Sequence, residues 1–256
     1  MLIGLLTLAY LLFGHGNQTF LLNPNLEKNV SVYVKDKDRK TQIDQTIKQV
    51  KKTEDAFQKK AKDVYDKKLE ELNKSKTSTA NDFLQEYNQF YKDLAELQNN
   101  YVDAELKFRS LIKPNEWDSI MNKVMKTPDN AKTRKKLKEE NNKLHDRLLS
   151  ACNKHIPDAA GKAKAKSLVN EYSVKADSLA NAYLDLNYKY IKAIRPYKVS
   201  RTDFEPYQTQ MIGLRKNYSD YLVYMRFKLK DITPEKEWES LAGDLKTVFA
   251  YLGPGM

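Results

Sequence analysis

Cysteine is nearly absent: one residue in 256 rules out an intramolecular disulfide framework. This leaves the compartment open, because many exported domains carry no disulfide. Glycine and proline number only 8 each, and with so few breakers and 41% hydrophobic residues the chain is expected to form long helices around a sizeable core. No Gly-rich phosphate loop, nucleophile elbow or His-Glu zinc helix occurs anywhere. These absences make an enzyme the less economical reading, and no catalytic or cofactor-binding residue is assigned.

What is present begins with an uncharged run, Leu2 to Phe13, ended by Gly14-His15-Gly16. Continued through Asn17-Gln18-Thr19 to Phe20-Leu21-Leu22, it reaches the ~20 residues a bilayer requires. A basic n-region and a small-x-small cleavage site are both missing, so residues 1–22 read as an uncleaved N-terminal anchor rather than a removed signal peptide. Orientation is contested. The first basic cluster, Lys35, Lys37, Arg39 and Lys40, follows the apolar run and points to the cytoplasm, whereas long domains translocate regardless of charge. We expect the bundle to be extracytoplasmic. Residues 23–40 read as a linker, with Val30, Val32 and Val34 alternating in the manner of a short strand.

From Thr41 the rhythm becomes helical. Ile43, Ile47, Val50, Phe57, Ala61, Val64 and Leu72, with Glu54 and Lys68 filling two positions, mark one helix to about Asn73. Phe83, Tyr87, Phe90, Leu94, Leu97, Tyr101, Ala104, Phe108 and Leu111 mark a second, antiparallel to the first. Pro114 then opens a short helix with Trp117, Ile120, Met121 and Val124 on one face. The second half repeats the scheme. Leu168, Tyr172, Leu179, Tyr183, Leu186, Tyr190 and Ile194 mark one helix. Phe204, Tyr207, Met211, Leu214, Tyr218, Tyr221, Met225 and Leu229 mark its partner, which also carries Phe227. Pro234 precedes a last helix with Trp238, Leu241, Ala242 and Leu245.

The two halves share more than rhythm. Each long inner helix begins at Asp-Phe (Asp82-Phe83 and Asp203-Phe204), and the spacing from that Phe to the Trp is the same in both. We read an internal duplication: residues 41–126 and 162–252 as two hairpins, each ending in a Trp helix, joined by a connector at 127–161 with Gly161 as hinge. Trp117, Trp238, Pro114, Pro234, Phe83, Phe204, Phe108 and Phe227 are its structural anchors. The expected fold class is therefore all-α, an anchored, elongated bundle of two duplicated hairpins.

One cluster invites a metal reading. His145, Cys152 and His155 fall within about an 80° arc of one helix. Rise along the helix separates His145 from Cys152 by about 10 Å, so the three cannot share an ion, and no metal site is assigned. The net charge of +11, from 45 Lys+Arg against 34 Asp+Glu, is spread along every helix with acids interleaved, which describes a solvated surface. Tyrosines gather between Tyr172 and Tyr224. Tyr188, Tyr197 and Tyr224 lie off the seam, where aromatic area and hydroxyls suit peptides or sugars; hydroxyl-lined helix cores are the weightier reading.

The stretch Ile232-Thr233-Pro234-Glu235-Lys236 resembles in outline the Leu-Thr-x-x-Gln helix opening of the periplasmic Spy and CpxP chaperones. Lys236 replaces the Gln, and Lys113 stands where the first copy would carry Thr. The resemblance implies an envelope stress chaperone and carries no functional residue across. The leading expectation is a non-enzymatic, membrane-anchored scaffold, adaptor or accessory subunit with a protein partner and room for a homo-oligomer. A basic bundle binding anionic lipid or nucleic acid is the alternative, with nucleic acid disfavoured.

Overall fold

The computed structural model describes residues 19–75, 77–125 and 130–249. Among them every regular element is helical: the chain is all-α. The helices are α1 (Leu26–Tyr33), α2 (Lys37–Lys60), α3 (Lys67–Lys74), α4 (Ala80–Leu111), α5 (Pro114–Val124), α6 (Asn130–His155), α7 (Ala159–Ile194), α8 (Glu205–Ile232) and α9 (Glu235–Phe249). A π-helical segment, Ala61–Asp66, joins α2 to α3.

Helices α2 and α3 fold back on α4, and α7 folds back on α8. The two hairpins meet along α4 and α8, which run antiparallel. Phe83 at the start of α4 meets Phe227 near the end of α8, and Gln208 near the start of α8 donates to the Gln98 carbonyl at 3.1 Å. Helix α6 lies along α7, α9 bridges α6 and α8, and α1 covers α5.

Both Asp-Phe motifs act as helix starts. Asp82 accepts the Thr79 amide at 2.7 Å, and Asp203 accepts the Ser200 amide at 2.8 Å. These backbone hydrogen bonds hold both carboxyls below the usual range. The second inner helix does not begin at Asp203 itself: Asp203 closes a 3-10 turn, and α8 begins two residues later.

Four expectations are corrected. Residues 23–40, read as a linker with a short strand, are helical: they hold α1 and the start of α2, and Val30 and Val34 face the core one helical turn apart while Val32 is 49% exposed. In α2–α3 the buried residues run Phe57, Ala61, Tyr65 and Leu69, not Val64 and Lys68. Steps of four without a three fit the wider π turn, which re-aims the stripe by about one residue. Gly161 is no hinge. It sits in the first turn of α7, its amide donates to Asp158 at 2.7 Å, and a β-carbon would lie 2.7 Å from both Asp158 Oδ2 and Ile156 Cγ2.

The fourth correction concerns the anchor. Phe20 and Leu21 are buried in the bundle, in a 3-10 turn capped by Thr19, so they are not part of an apolar span. Residues 2–18 lie outside the described residues, and among the described residues no helix is long and apolar enough to cross a membrane.

Candidate functional site

The anchors expected from sequence come together at two places, each organised by an arginine that hydropathy does not reveal. At the first, Trp117 on α5 lies beneath the Arg109 guanidinium, 4.1 Å from its ring centroid. Phe204 of the other hairpin lies 5.9 Å from the same guanidinium. Phe20 completes the cage, edge-on to Phe108 at 5.3 Å and to Trp117 at 5.6 Å. Arg109 donates to the carbonyls of Ile194 (2.5 Å), Pro196 (2.6 Å) and Tyr197 (3.2 Å). The Trp117 indole donates to the Arg195 carbonyl at 2.9 Å. The Ile194 and Arg195 carbonyls are acceptors that the end of α7 leaves without helical partners, those of Pro196 and Tyr197 belong to the turn that follows, and a cation there also meets the negative end of the helix dipole.

The favour is returned. Tyr197, in the turn after α7, donates its hydroxyl to Ile112 at the end of α4, at 2.9 Å. Arg39 binds the Leu111 carbonyl at 3.0 Å and clasps Glu116 with two hydrogen bonds of 2.7 and 2.8 Å, fixing the corner that Pro114 opens as the first residue of α5.

At the second place Arg226 of α8 lies 5.1 Å from the Trp238 ring and 4.8 Å from Phe83 of the other hairpin. Its guanidinium donates to the Asn73 carbonyl, in the last turn of α3, at 3.4 Å. Phe227 packs edge-on to Phe83 at 5.8 Å. Pro234 directly precedes α9, and its carbonyl accepts the Trp238 amide at 3.1 Å. In both places, then, an arginine over one hairpin's Trp reaches the Phe of the opposite Asp-Phe motif and stops the opposite hairpin's first helix. Burial lowers the pKa of both arginines to about 10.

One turn before Arg109, Glu105 is buried beside the Thr19 hydroxyl. Burial raises its pKa to about 7, against the opposing pull of Thr19 and Arg109. This carboxyl holds or loses its proton near neutrality. Asp93, further back on α4, binds the π segment: it accepts from Tyr65, pairs with Lys60 at 2.5 Å and accepts from Gln89 at 3.1 Å. Burial would push Asp93 up, but Lys60 and Tyr65 outweigh it and keep its pKa low.

The histidines and the cysteine are not gathered. His145 faces Asn170 at 2.8 Å, whereas His155 faces Asp244 of α9 at 2.8 Å, with Glu237 at 3.9 Å from its other ring nitrogen. Cys152 is buried, which pushes its thiol up to about 11 and away from the reactive thiolate. Among the described residues no group of three or more His, Cys, Asp or Glu is placed to hold a metal ion.

Of the tyrosines, Tyr172 and Tyr221 stack with rings 8° apart, Tyr221 meets Tyr224 at 5.5 Å, and Lys228 lies 5.7 Å from the Tyr224 ring. Tyr188 carries Lys192 over its ring at 4.4 Å. Two of the grooves among the described residues lie between helices. One, of about 510 Å³, separates α2 from α4 and mixes amides and hydroxyls such as Gln45, Thr46, Gln49 and Asn100 with apolar surface from Val50 and Ala104. The other, of about 460 Å³, separates α7 from α8 at Gly213.

Comparison of the chain with family models, curated proteins and solved structures found no match. Its function is therefore argued from its own geometry.

Sequence reasoning missed Arg109, Glu105, Arg226 and Asp93: charged residues were admitted to a seam only at Glu54 and Lys68, where the apolar steps left a gap, and the apolar steps in the later helices leave none. The available signal was positional: Glu105 and Arg109 follow Tyr101 at four-residue steps, within the stripe that Phe108 continues.

Proposed function

We propose that this chain is a non-enzymatic helical scaffold or adaptor, tethered to a membrane by the apolar stretch before residue 19 and presenting its bundle to a protein partner outside the cytoplasm. The observation that carries this reading is the seating of Phe20 between Phe108 and Trp117. Burial of Phe20 and Leu21 fixes the chain to the bundle a short way beyond the end of the apolar run, which suits a part whose task is to hold position. The burial of Cys152, which keeps its thiol protonated, supports a role other than catalysis for that residue.

A duplicated origin of the two hairpins belongs to the same proposal. It is supported by the matching roles of Asp82 and Asp203 and by the crossed Arg-Trp-Phe cages. The chaperone variant differs only in its client, an unfolded chain rather than a folded partner, and suppression of aggregation would test it.

The deciding experiment is affinity recovery of the full tagged chain from crosslinked native envelopes. Specific co-purification of a protein partner is expected; recovery of the chain with nothing above the untagged background refutes the reading. Protease access to a C-terminal tag in intact cells tests the orientation: cleavage is expected, and protection until detergent is added contradicts it.

One feature favours a second reading. Lys135, Lys136 and Lys138 stand exposed on the outer side of α6, and a cytoplasm-facing bundle would offer them to anionic lipid or nucleic acid. That reading requires binding that collapses with added salt.

A further inference from the structure

The 3-10 turn that holds Phe20 is seated by burial more than by hydrogen bonds. Its backbone bonds close within the turn: the Leu21 amide donates to the Thr19 hydroxyl at 3.2 Å, and the Asn23 amide to the Phe20 carbonyl at 3.0 Å. What holds it down is the burial of Phe20 and Leu21, with Phe20 against Phe108 and Trp117. The next tie along the chain is the Asn23 side chain, which donates to the Val124 carbonyl at 3.1 Å. Residues 19–22 can therefore lift while the chain from Asn23 onward keeps its place, a local opening that needs less free energy than unfolding the bundle.

Beneath the turn lies a group that resists it. Glu105 is 1% exposed with the Thr19 hydroxyl beside it, yet among the described residues neither carboxyl oxygen receives a well-formed hydrogen bond. The cation one turn away is engaged elsewhere: both terminal nitrogens of Arg109 donate to carbonyls of the other hairpin, and its Nε makes no hydrogen bond to the carboxyl. Tyr190 of α7 is the other titratable group facing Glu105, and burial keeps its phenol un-ionised at neutral pH. The turn, α2 and α8 add no charged group. A buried carboxylate so placed is costly, whereas the neutral acid fits. Glu105 is relieved by holding a proton or by gaining water. Thr19 covers it on one side, so lifting the turn lets water in.

We propose that Glu105 is a proton-operated latch for the N-terminal turn: protonated, it accepts the seated turn, and on losing its proton it drives residues 19–22 off the bundle, with Asn23 as the hinge. Release uncovers the faces of Phe108 and Trp117 and moves the point of attachment from Phe20 to Asn23. This goes beyond the scaffold reading and does not rest on it.

Seated, the carboxyl titrates at about 7; released into water it returns to an ordinary 4.5. The seated form is therefore favoured most below pH 4.5 and loses that advantage as pH rises through 7. Release becomes about 300-fold easier across that interval, a factor of ten for each pH unit.

Hydrogen exchange of the full-length chain tests this, read by mass spectrometry on a fragment covering residues 19–23 and corrected for the intrinsic rate at each pH. Between pH 4.5 and 8 exchange of the turn should quicken by about 300-fold, levelling above 7. Dilute urea should leave it unchanged, because so short an opening exposes little surface, while core amides of α4 should quicken with urea. In Glu105→Gln, which imitates the protonated acid, the turn should stay slow at every pH. A turn whose exchange ignores pH, a pH dependence that survives Glu105→Gln, or a turn as sensitive to urea as α4 overturns the proposal. The first and last of these are read on the parent chain alone, whatever the stability of the variant.

Discussion

Replacing Arg109 by methionine tests the central claim that the end of one hairpin is stoppered from the other. The substitution keeps a long apolar stem but removes the donors to Ile194, Pro196 and Tyr197 and the cation over Trp117. A hydrogen bond from a charged donor contributes about 1.5–3 kcal/mol, and a desolvated cation–π contact about 2 kcal/mol. Against that, burying the guanidinium costs several kcal/mol, which methionine avoids. The carbonyls stay buried and lose their donor, and Glu105 loses its nearest cation. Breaking one side of such an arrangement costs about 3–5 kcal/mol, or about 6–20 °C in melting temperature at 2–4 °C per kcal/mol. Urea and thermal melts of the full chain, followed by circular dichroism, read this directly. A change below about 0.5 kcal/mol, the size of an ordinary surface substitution, would show that these contacts do not hold the junction.

Further expectations follow from other residues. Glu105 has a folded pKa of about 7 against an ordinary 4.5, so its protonated form favours the fold: its own contribution to stability is complete below pH 4.5 and is lost as pH rises through 7, by about 3 kcal/mol in total. Glu105→Gln should flatten that slope in melts taken from pH 4.5 to 8, and an unchanged slope would remove Glu105 as its source. Gly161→Ala should destabilise by about 1–3 kcal/mol in urea melts, because the new methyl meets Asp158 and Ile156 at 2.7 Å; a neutral result would mean that the turn yields freely. Asp93→Asn should cost about 1–2 kcal/mol by weakening the hold on Lys60 and Tyr65. Hydrogen exchange should quicken first in Ala61–Asp66, and uniform quickening along α2 and α4 would contradict that assignment.

The long helices were legible because their stripes are apolar and regular. Phe83, Tyr87, Phe90, Leu94, Leu97, Tyr101 and Phe108 were all read from the sequence and are all buried. Three kinds of feature escaped. Charged residues inside the stripe, such as Glu105 and Arg109, look like solvent-facing residues to any apolar count. The π segment changes the period for a single turn, visible only as consecutive steps of four from Phe57 to Leu69. Helix α1 is so short that the alternation of Val30, Val32 and the capping Val34 fits a strand as well as the helical turn from Val30 to Val34, and its packing on α5 decides between them. The anchors Trp117 and Trp238 were found from their repetition, but their partners were not, because each arginine reaches a phenylalanine some hundred residues or more away in sequence.

The crossed capping bears on how the molecule is made. A ribosome delivers the first hairpin while the second is still unsynthesised, so Arg109 and Trp117 must wait for the carbonyls after Ile194, and the end of α3 for Arg226. Neither half is complete as a folding unit, and the nascent first half shows its caging surfaces to whatever is nearby until its counterpart emerges. Cutting the gene between Val124 and Asn130 and producing the pieces separately should leave two unstable fragments that become one stable particle when mixed.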